Sequence, residues 1–197
     1  MNSKAAEAYI LDQLSRELPP SLHYHGLHHT LDVTEAAMRL AGAEGITDPA
    51  ALCLLRTAAF YHDAGFLVTY QNHEVAGCQL TREMLPQFGY APESVEVICA
   101  LIMATQSPQT PTTLLEQILC DADLDYLGRD DFPSIAQALF EEWQDRQLID
   151  TEENWNRIQV RFLENHHYWT RTARQWRHAR KQEHLRQLRE QLSLPPN

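Results

Sequence analysis

Apolar residues recur at spacings of three and four along most of the chain, and no stretch alternates apolar and polar residues over a strand's length. This pattern predicts an all-α protein. Prolines, glycines and capping residues mark the ends of the segments, as where Asp48 precedes Pro49. The predicted helices cover about residues 3–18, 27–41, 49–62, 72–85, 92–102, 114–127 and 132–143, and then 151–192 as one long helix or two consecutive ones.

Large apolar side chains within these segments are expected to form the core. Val75, Leu80, Met84 and Leu85 share one side of the fourth segment. The tail is expected to bury a stripe formed by Trp155, Ile158, Phe162, Trp169 and Trp176. With 197 residues and 44% hydrophobic composition, the chain suffices for one full-sized core, so we expect a single domain over residues 1–197.

Charge narrows the range of partners. A formal charge of -11 argues against a general nucleic-acid or membrane-surface binder, because both of those surfaces are anionic. Seven of the 16 Lys and Arg residues lie between positions 171 and 189. Either a basic helix packed on an acidic body or a small anion-binding patch would produce that asymmetry.

The N-terminal residues and the cysteines indicate a cytoplasmic location. Lys4, Glu7 and Asp12 interrupt the apolar residues of the first segment, which therefore does not resemble a signal peptide. No apolar run approaches the roughly 20 residues of a membrane span. The four cysteines are widely spaced within apolar patterns and are expected to be buried free thiols: Cys53, Cys78, Cys99 and Cys120.

The histidines suggest metal chemistry. Five of the ten lie between positions 23 and 62, and His62 is followed directly by Asp63 at the end of an apolar helix. An adjacent His and Asp can offer one nitrogen and one oxygen to the same cation. With an earlier His and a later Asp, the site would have mixed ligands that suit Mn, Fe, Co, Ni or Zn, and Mg less well.

Four ordered segments resemble the HD-domain phosphohydrolases, a superfamily of metal-dependent enzymes. They are YHGLHHTLDVTEAA, AAFYHDAGF, NHEVAGCQLTREML and ILCDADLDYLG, within about residues 24–128. The resemblance implies a helical bundle in which His29, His62, Asp63 and Asp123 bind a divalent cation. Residues 24–128 would then form the metal-site core, and residues 131–192 would form C-terminal helices.

Two of these ligand assignments have neighbours that compete with them. His28 could replace His29, although Val33 and Ala37 continue the face of His29 at helical spacing. Asp121 and Asp125 lie within about one helical turn of Asp123 and could replace it. Otherwise we expect these two carboxylates to orient ligating histidines.

The segment HEVAG resembles the step at which dinuclear members of the superfamily place a further histidine. Those members need one more histidine near positions 103–106, where this chain has Met, Ala, Thr and Gln. One metal is therefore favoured over two. His73 and Glu74 are candidates to protonate the leaving group, and Asp63 to orient the attacking water, so these three are the predicted catalytic residues.

Basic residues elsewhere could bind an anionic substrate. The tail places His166, His167, Arg174 and Lys181 near Trp169, although a solvated basic face over an aromatic stripe explains them as well. Arg56, Arg82 and Arg129 are further single candidates that spacing does not rank.

The function expected from the resemblance is hydrolysis of a nucleotide or another small phosphate ester. A non-catalytic nucleotide-sensing module is an alternative, and a di-iron oxygenase is a weaker one because it needs two metals. We expect no membrane or nucleic-acid partner. The aromatic tail could bury a second copy of the chain in a homo-oligomer.

Overall fold

A computed structural model describes residues 1–194 of the protein, and this part of the chain contains helices and no strands, which confirms the predicted all-α class. The helices are α1 (Ser3–Glu17), α2 (Leu27–Ala43), α3 (Pro49–Tyr61), α4 (His73–Met84), α5 (Pro92–Ala104), α6 (Leu114–Asp123), α7 (Phe132–Asp145), α8 (Glu152–Asn165) and α9 (Arg171–Gln191). Three 3₁₀ turns lie between them at Ala64–Leu67, Leu85–Phe88 and Asp125–Gly128.

Capping residues explain several helix boundaries. The Asp48 carboxylate accepts hydrogen bonds from the first backbone N–H groups of α3, with Pro49 at the first helical position, as the sequence predicts. Thr113 and Glu116 form a reciprocal capping box at the start of α6. These local contacts satisfy backbone donors that the helix itself leaves unpaired.

The larger of two apolar cores lies where α2 packs against α3 and α6, with α1, α4 and α5 around them. Ile10, Leu40, Leu55, Ile98 and Ile118 are almost fully buried there. Burying one such side chain contributes about 1.5–3 kcal/mol before conformational entropy is subtracted. This core therefore fixes the ends of α2, α3 and α6 relative to one another.

The second core joins α7, α8 and α9 to the turn Asp125–Gly128. Leu127, Phe132, Leu163 and Leu185 are buried in it. Gly128 permits the close approach of α9, because a Cβ atom there would lie 2.4 Å from the backbone oxygen of Arg177. The C-terminal helices are thus packed directly behind the end of α6.

Some expectations about burial are wrong. Trp176 is 44% exposed and Val75 is also 44% exposed, because each projects from the solvent side of its helix.

The tail is two helices, since the chain leaves helical geometry at residues 166–170. Within residues 1–194, no helix combines the length and apolar character needed to cross a membrane. All four cysteines are free thiols, with Cys53 only partly buried.

Candidate metal centre

Four side chains from three helix ends meet in the first core. His29 extends from the start of α2, His62 and Asp63 follow α3, and Asp123 ends α6. The His29 Nε2 atom lies 3.2 Å from Asp123 Oδ1 and 3.5 Å from Asp63 Oδ2, and His62 Nε2 lies 3.3 Å from Asp63 Oδ2. The two imidazole Nε2 atoms are 3.4 Å apart.

This cluster has the donor set of a cation site. The ligand atoms of His29, His62 and Asp123 all lie within 4.8 Å of one another, close enough to hold one metal ion. Asp63 Oδ2 is buried between the imidazoles and has no hydrogen-bond partner in the described structure. A buried carboxylate oxygen without a partner is costly, and a divalent cation would satisfy it. The residues present therefore fit such an ion.

The orientation of His62 supports this arrangement. Its Nδ1 donates a hydrogen bond to the backbone oxygen of Ala59 at 2.8 Å. Because a carbonyl oxygen can only accept, the proton of the neutral ring must lie on Nδ1. The lone pair of Nε2 then faces the cluster, which is the tautomer that a metal ligand requires.

Electrostatic coupling keeps the cluster charged. Burial alone would lower the pKa of His62, but the carboxylates of Asp63 and Asp123 outweigh burial and raise that pKa to about 9. Burial alone would raise the pKa of both carboxyl groups, yet the neighbouring imidazoles hold these pKa values well below the usual range. At neutral pH and without a cation, the cluster therefore carries two carboxylates and a protonated His62.

His73 and Glu74 lie beside this cluster. His73 Nε2 is 3.3 Å from Asp63 Oδ1, the oxygen that does not face the other histidines. Burial works against protonation of His73, but its hydrogen bond with Asp63 raises its pKa overall. His73 is 3.6 Å from Glu74, whose side chain is buried.

The close approach of α4 to the cluster depends on glycine. A Cβ atom on Gly65 would lie 1.7 Å from the backbone oxygen of His73 and 2.7 Å from the backbone nitrogen of Gly77. No other residue type fits there without a backbone shift. Gly65 therefore sets the distance between the His62 and Asp63 pair and the start of α4.

Polar residues lie near positions 103–106, where dinuclear members of the superfamily need one more histidine. Gln106 Nε2 donates to Glu74 Oε2 at 3.3 Å, and the Thr105 hydroxyl donates to the backbone oxygen of Ile102 at 2.7 Å. An amide and a hydroxyl thus stand where dinuclear relatives would need an imidazole.

The structure separates the three candidate aspartates. Asp121 is fully buried and accepts hydrogen bonds from the backbone N–H groups of Trp169 and Thr170, both at 2.7 Å. Asp125 accepts both hydrogen bonds of a bidentate pair with Arg177, at 2.6 and 2.9 Å. The expectation that these two carboxylates orient ligating histidines is wrong, because tertiary packing gives them other donors. Asp123 alone among them approaches His29 and His62.

The structure also distinguishes His29 from its competitor His28. His28 is exposed, whereas His29 is 4% exposed and its Nε2 atom lies within the cluster. Buried His29 also packs against the Tyr24 ring, with ring centroids 4.5 Å apart.

The tail cations have structural partners. Arg174 donates to the backbone oxygens of Thr170 and Trp169, and buried Lys181 donates to those of Leu163 and His166 at the end of α8. Burial lowers the pKa of Lys181 to about 8. Neither cation lies in the wall of the cavity beside the cluster.

The remaining basic candidates also have partners within the protein, in this case other side chains. His166 contacts Lys181, and His167 packs on the ring of Trp169. The three single arginines form ion pairs with acidic side chains: Arg56 with Glu7, Arg82 with Glu96, and Arg129 with Asp32 and Asp131.

Sequence reasoning missed His25 and Glu142. His25 Nδ1 lies 2.5 Å from Glu142 Oε1, and the other oxygen of Glu142 accepts from the backbone N–H groups of Tyr24 and His25. The Tyr70 hydroxyl also donates to this carboxylate. Glu142 is fully buried, and these four hydrogen-bond donors compensate its negative charge. In the sequence, the pair Tyr24 and His25 before His29 is the signal for this contact. No neighbouring residue indicates that the partner of His25 lies on α7.

A cavity of about 290 Å³ opens beside the cluster. Asp63, Asp123, His25, His73 and Glu74 line one part of it. Most of the rest is lined by aromatic and aliphatic side chains, many of them from α7 and α8, and Thr105, Ser107 and Gln159 add neutral polar groups. A substrate could therefore contact the acidic and imidazole groups while its other end lies between the C-terminal helices.

The chain resembles known proteins in both sequence and fold. The family model of the HD domain matches residues 26–125, just over half of the chain. A "predicted HD superfamily hydrolase" from an uncultured Thermotogales bacterium has a similar fold, with TM-score 0.61, 22% identity, and coverage of 96% of this chain and 91% of that one. No curated protein matches the sequence significantly.

Two further solved structures share the fold. YpgQ of Bacillus subtilis, determined in complex with ADP, has TM-score 0.64 and 17% identity, with coverage of 96% of this chain and 97% of that one. A structural-genomics target from Lactobacillus plantarum has TM-score 0.65 and 20% identity, with coverage of 98% and 99%. At these identities the likeness concerns the fold.

Proposed function

Because the chain belongs to the HD-domain family, we propose that it is a metal-dependent phosphohydrolase acting on a nucleotide or another small phosphate ester. The observation that carries the proposal is the buried, unpartnered Asp63 Oδ2, which lies 3.3 Å from His62 Nε2 and 3.5 Å from His29 Nε2. The complex of YpgQ with ADP lends support, since that protein shares the fold and binds a nucleotide.

His29, His62, Asp63 and Asp123 would hold one divalent cation. When bound, such a cation supplies Lewis-acid chemistry that activates water and polarises a phosphoryl oxygen. The two imidazoles favour Mn, Fe, Co, Ni or Zn over Mg as the bound ion.

The neighbouring residues would handle water and protons. Asp63 is part of the cavity wall and its Oδ1 lies 3.3 Å from His73 Nε2, so this oxygen would orient a water molecule. His73 Nε2 holds a proton more readily than a free histidine does, and can donate it to the departing oxygen. The carboxyl group of Glu74 lies 3.6 Å from His73 Nε2 and would help to retain that proton.

A metal count combined with an activity screen tests this proposal. The purified protein is loaded separately with Mn, Mg, Ni, Co and Fe and assayed on nucleotides and phosphate esters. Elemental analysis should find one metal per chain, and His29→Ala should lose both metal and hydrolysis. His28→Ala is the matched control, because this exposed neighbour should retain both. Full activity of a metal-free His29→Ala protein would refute the proposal.

A further inference from the structure

The cavity beside the cluster has a largely aromatic wall on the side away from the cluster. Away from the cluster, Phe132, Trp143, Trp155, Ile158 and Phe162 line it, and these side chains come from α7 and α8. Aromatic rings of this kind stack on flat organic groups and exclude water from them. Most of the wall is thus suited to an apolar, aromatic ligand.

The same wall lacks permanent cations. No Lys or Arg lies among the described residues that form it, whereas Asp63, Glu74 and Asp123 are acidic. Arg146 stacks on the ring of Tyr70, 3.9 Å from the centroid, but is not part of the wall. A single divalent cation would be balanced by the two carboxylates that bind it, which leaves only imidazoles and the neutral polar groups of Tyr70, Thr105, Ser107 and Gln159 to meet additional negative charge.

These features limit the charge of the substrate. Burying a charge without a partner is strongly unfavourable, and a di- or triphosphate chain extending along this wall would leave its further phosphates unpaired. A single phosphoryl group at the cluster avoids that cost. The organic part of the molecule would then occupy the apolar end.

The volume limits the size of the organic group. An apolar cavity of about 150 Å³ is enough for one benzene ring, and this cavity measures about 290 Å³. We therefore propose that the substrate carries one phosphoryl group on an aromatic, largely apolar group about the size of two fused rings. This inference rests on the proposed phosphohydrolase function and specifies its substrate class.

The first test compares substrates on the unmodified protein. The metal-loaded protein is assayed with 2-naphthyl phosphate, phenyl phosphate and ADP under identical conditions. Because the second ring buries additional apolar surface, kcat/KM for 2-naphthyl phosphate should exceed that for phenyl phosphate by about tenfold or more. It should also exceed the value for ADP. Equal values for the two aryl esters, or a preference for ADP, would overturn the inference.

A cavity-filling variant makes the test specific to this wall. Ala136→Leu adds volume to the α7 side of the cavity, where Ala136 is part of the wall. The ratio of the two aryl esters should fall toward one, because the space for the second ring is lost. Ala138→Leu is the matched control, since Ala138 lies on the same helix and packs against the second core outside the cavity wall. A ratio that survives in Ala136→Leu would count against the inference.

Binding separates failure of this inference from failure of the proposed function. Calorimetric titration of the metal-loaded protein with 2-naphthyl phosphate and with ADP reports binding even where no turnover occurs. A protein that hydrolyses nothing, yet binds the naphthyl ester more tightly than ADP and loses this preference in Ala136→Leu, would retain the cavity assignment and refute the hydrolase. A protein that hydrolyses ADP in preference to both aryl esters would retain the hydrolase and refute the cavity assignment.

Discussion

Glu142 accepts a hydrogen bond from Nδ1 of His25 at 2.5 Å, although 117 positions separate the two residues in the chain. Its second oxygen accepts from the backbone of Tyr24 and His25, just before α2. One buried carboxylate on α7 therefore holds the segment that leads into the metal cluster. The C-terminal helices contribute to the site through this contact as well as through the cavity wall.

Glu142→Gln tests the importance of this contact. The amide keeps the size of the side chain but replaces one acceptor by a donor that faces other donors. We expect the free energy of unfolding to fall by about 2 kcal/mol and kcat/KM to decrease, because His25 loses its fixed orientation. Urea unfolding and steady-state kinetics measure the two effects. Glu141→Gln, an exposed neighbour on α7, should change neither, and an unaffected Glu142→Gln would show that the contact is dispensable.

Metal affinity should depend on pH through His62. The pKa of this residue is raised to about 9 in the metal-free protein, so a cation must displace a proton at neutral pH. Apparent affinity should therefore increase about tenfold per pH unit from pH 7 to 8 and level off above pH 9. Competition titration with a chelator, corrected for the chelator's own protonation, measures this slope. The same affinity at pH 7 and pH 8 would contradict the expectation.

The stability of the metal-free protein should change in the opposite direction. Because the folded-state pKa of His62 lies above the ordinary value of 6.5, its protonation stabilises the fold fully below pH 6.5. That contribution is lost as pH rises through about 9. Thermal unfolding of the chelated protein at pH 6.5 and pH 9 should show the decrease, and a saturating metal concentration should reduce it.

Gly65→Ala should separate α4 from the cluster. The added Cβ atom would lie 1.7 Å from the backbone oxygen of His73, so the backbone must shift. We expect a loss of roughly 3 kcal/mol or more in the free energy of unfolding. Gly42→Ala is the control: nothing lies within 4 Å of its added Cβ atom, and this change within α2 should be neutral or stabilising by about 0.5–1 kcal/mol. Equal stability of the two variants would show that α4 accommodates the methyl group.

Asparagine substitutions distinguish the three aspartates. Asp123→Asn should lose the metal, because this carboxylate approaches both histidines. Asp121→Asn should keep the metal but unfold about 1–3 kcal/mol more easily, since it holds the chain between α8 and α9. Elemental analysis and urea unfolding report the two outcomes. Metal loss in Asp121→Asn with retention in Asp123→Asn would reverse the assignment.

Much of the fold could be predicted because its signals are local. Helical periodicity, the Asp48 cap and the helix-breaking prolines act within a few residues, so the all-α class and most helix boundaries follow from the sequence. The family resemblance carried by four short segments is confirmed by the family model over residues 26–125. The exposure of Trp176 shows the limit of periodicity, since a helix pattern does not reveal which face finds a partner.

The helices, the acidic character of the chain and the His62 and Asp63 pair at a helix end can all be predicted from local sequence patterns. Which aspartate meets the histidines depends on tertiary packing, because three carboxylates within about one helical turn differ only in the direction of their side chains. Tertiary packing also assigned the tail cations to carbonyls and carboxylates, and it placed Glu142 beside His25. These contacts join residues far apart in the chain, and their partners are set by how the helices pack together.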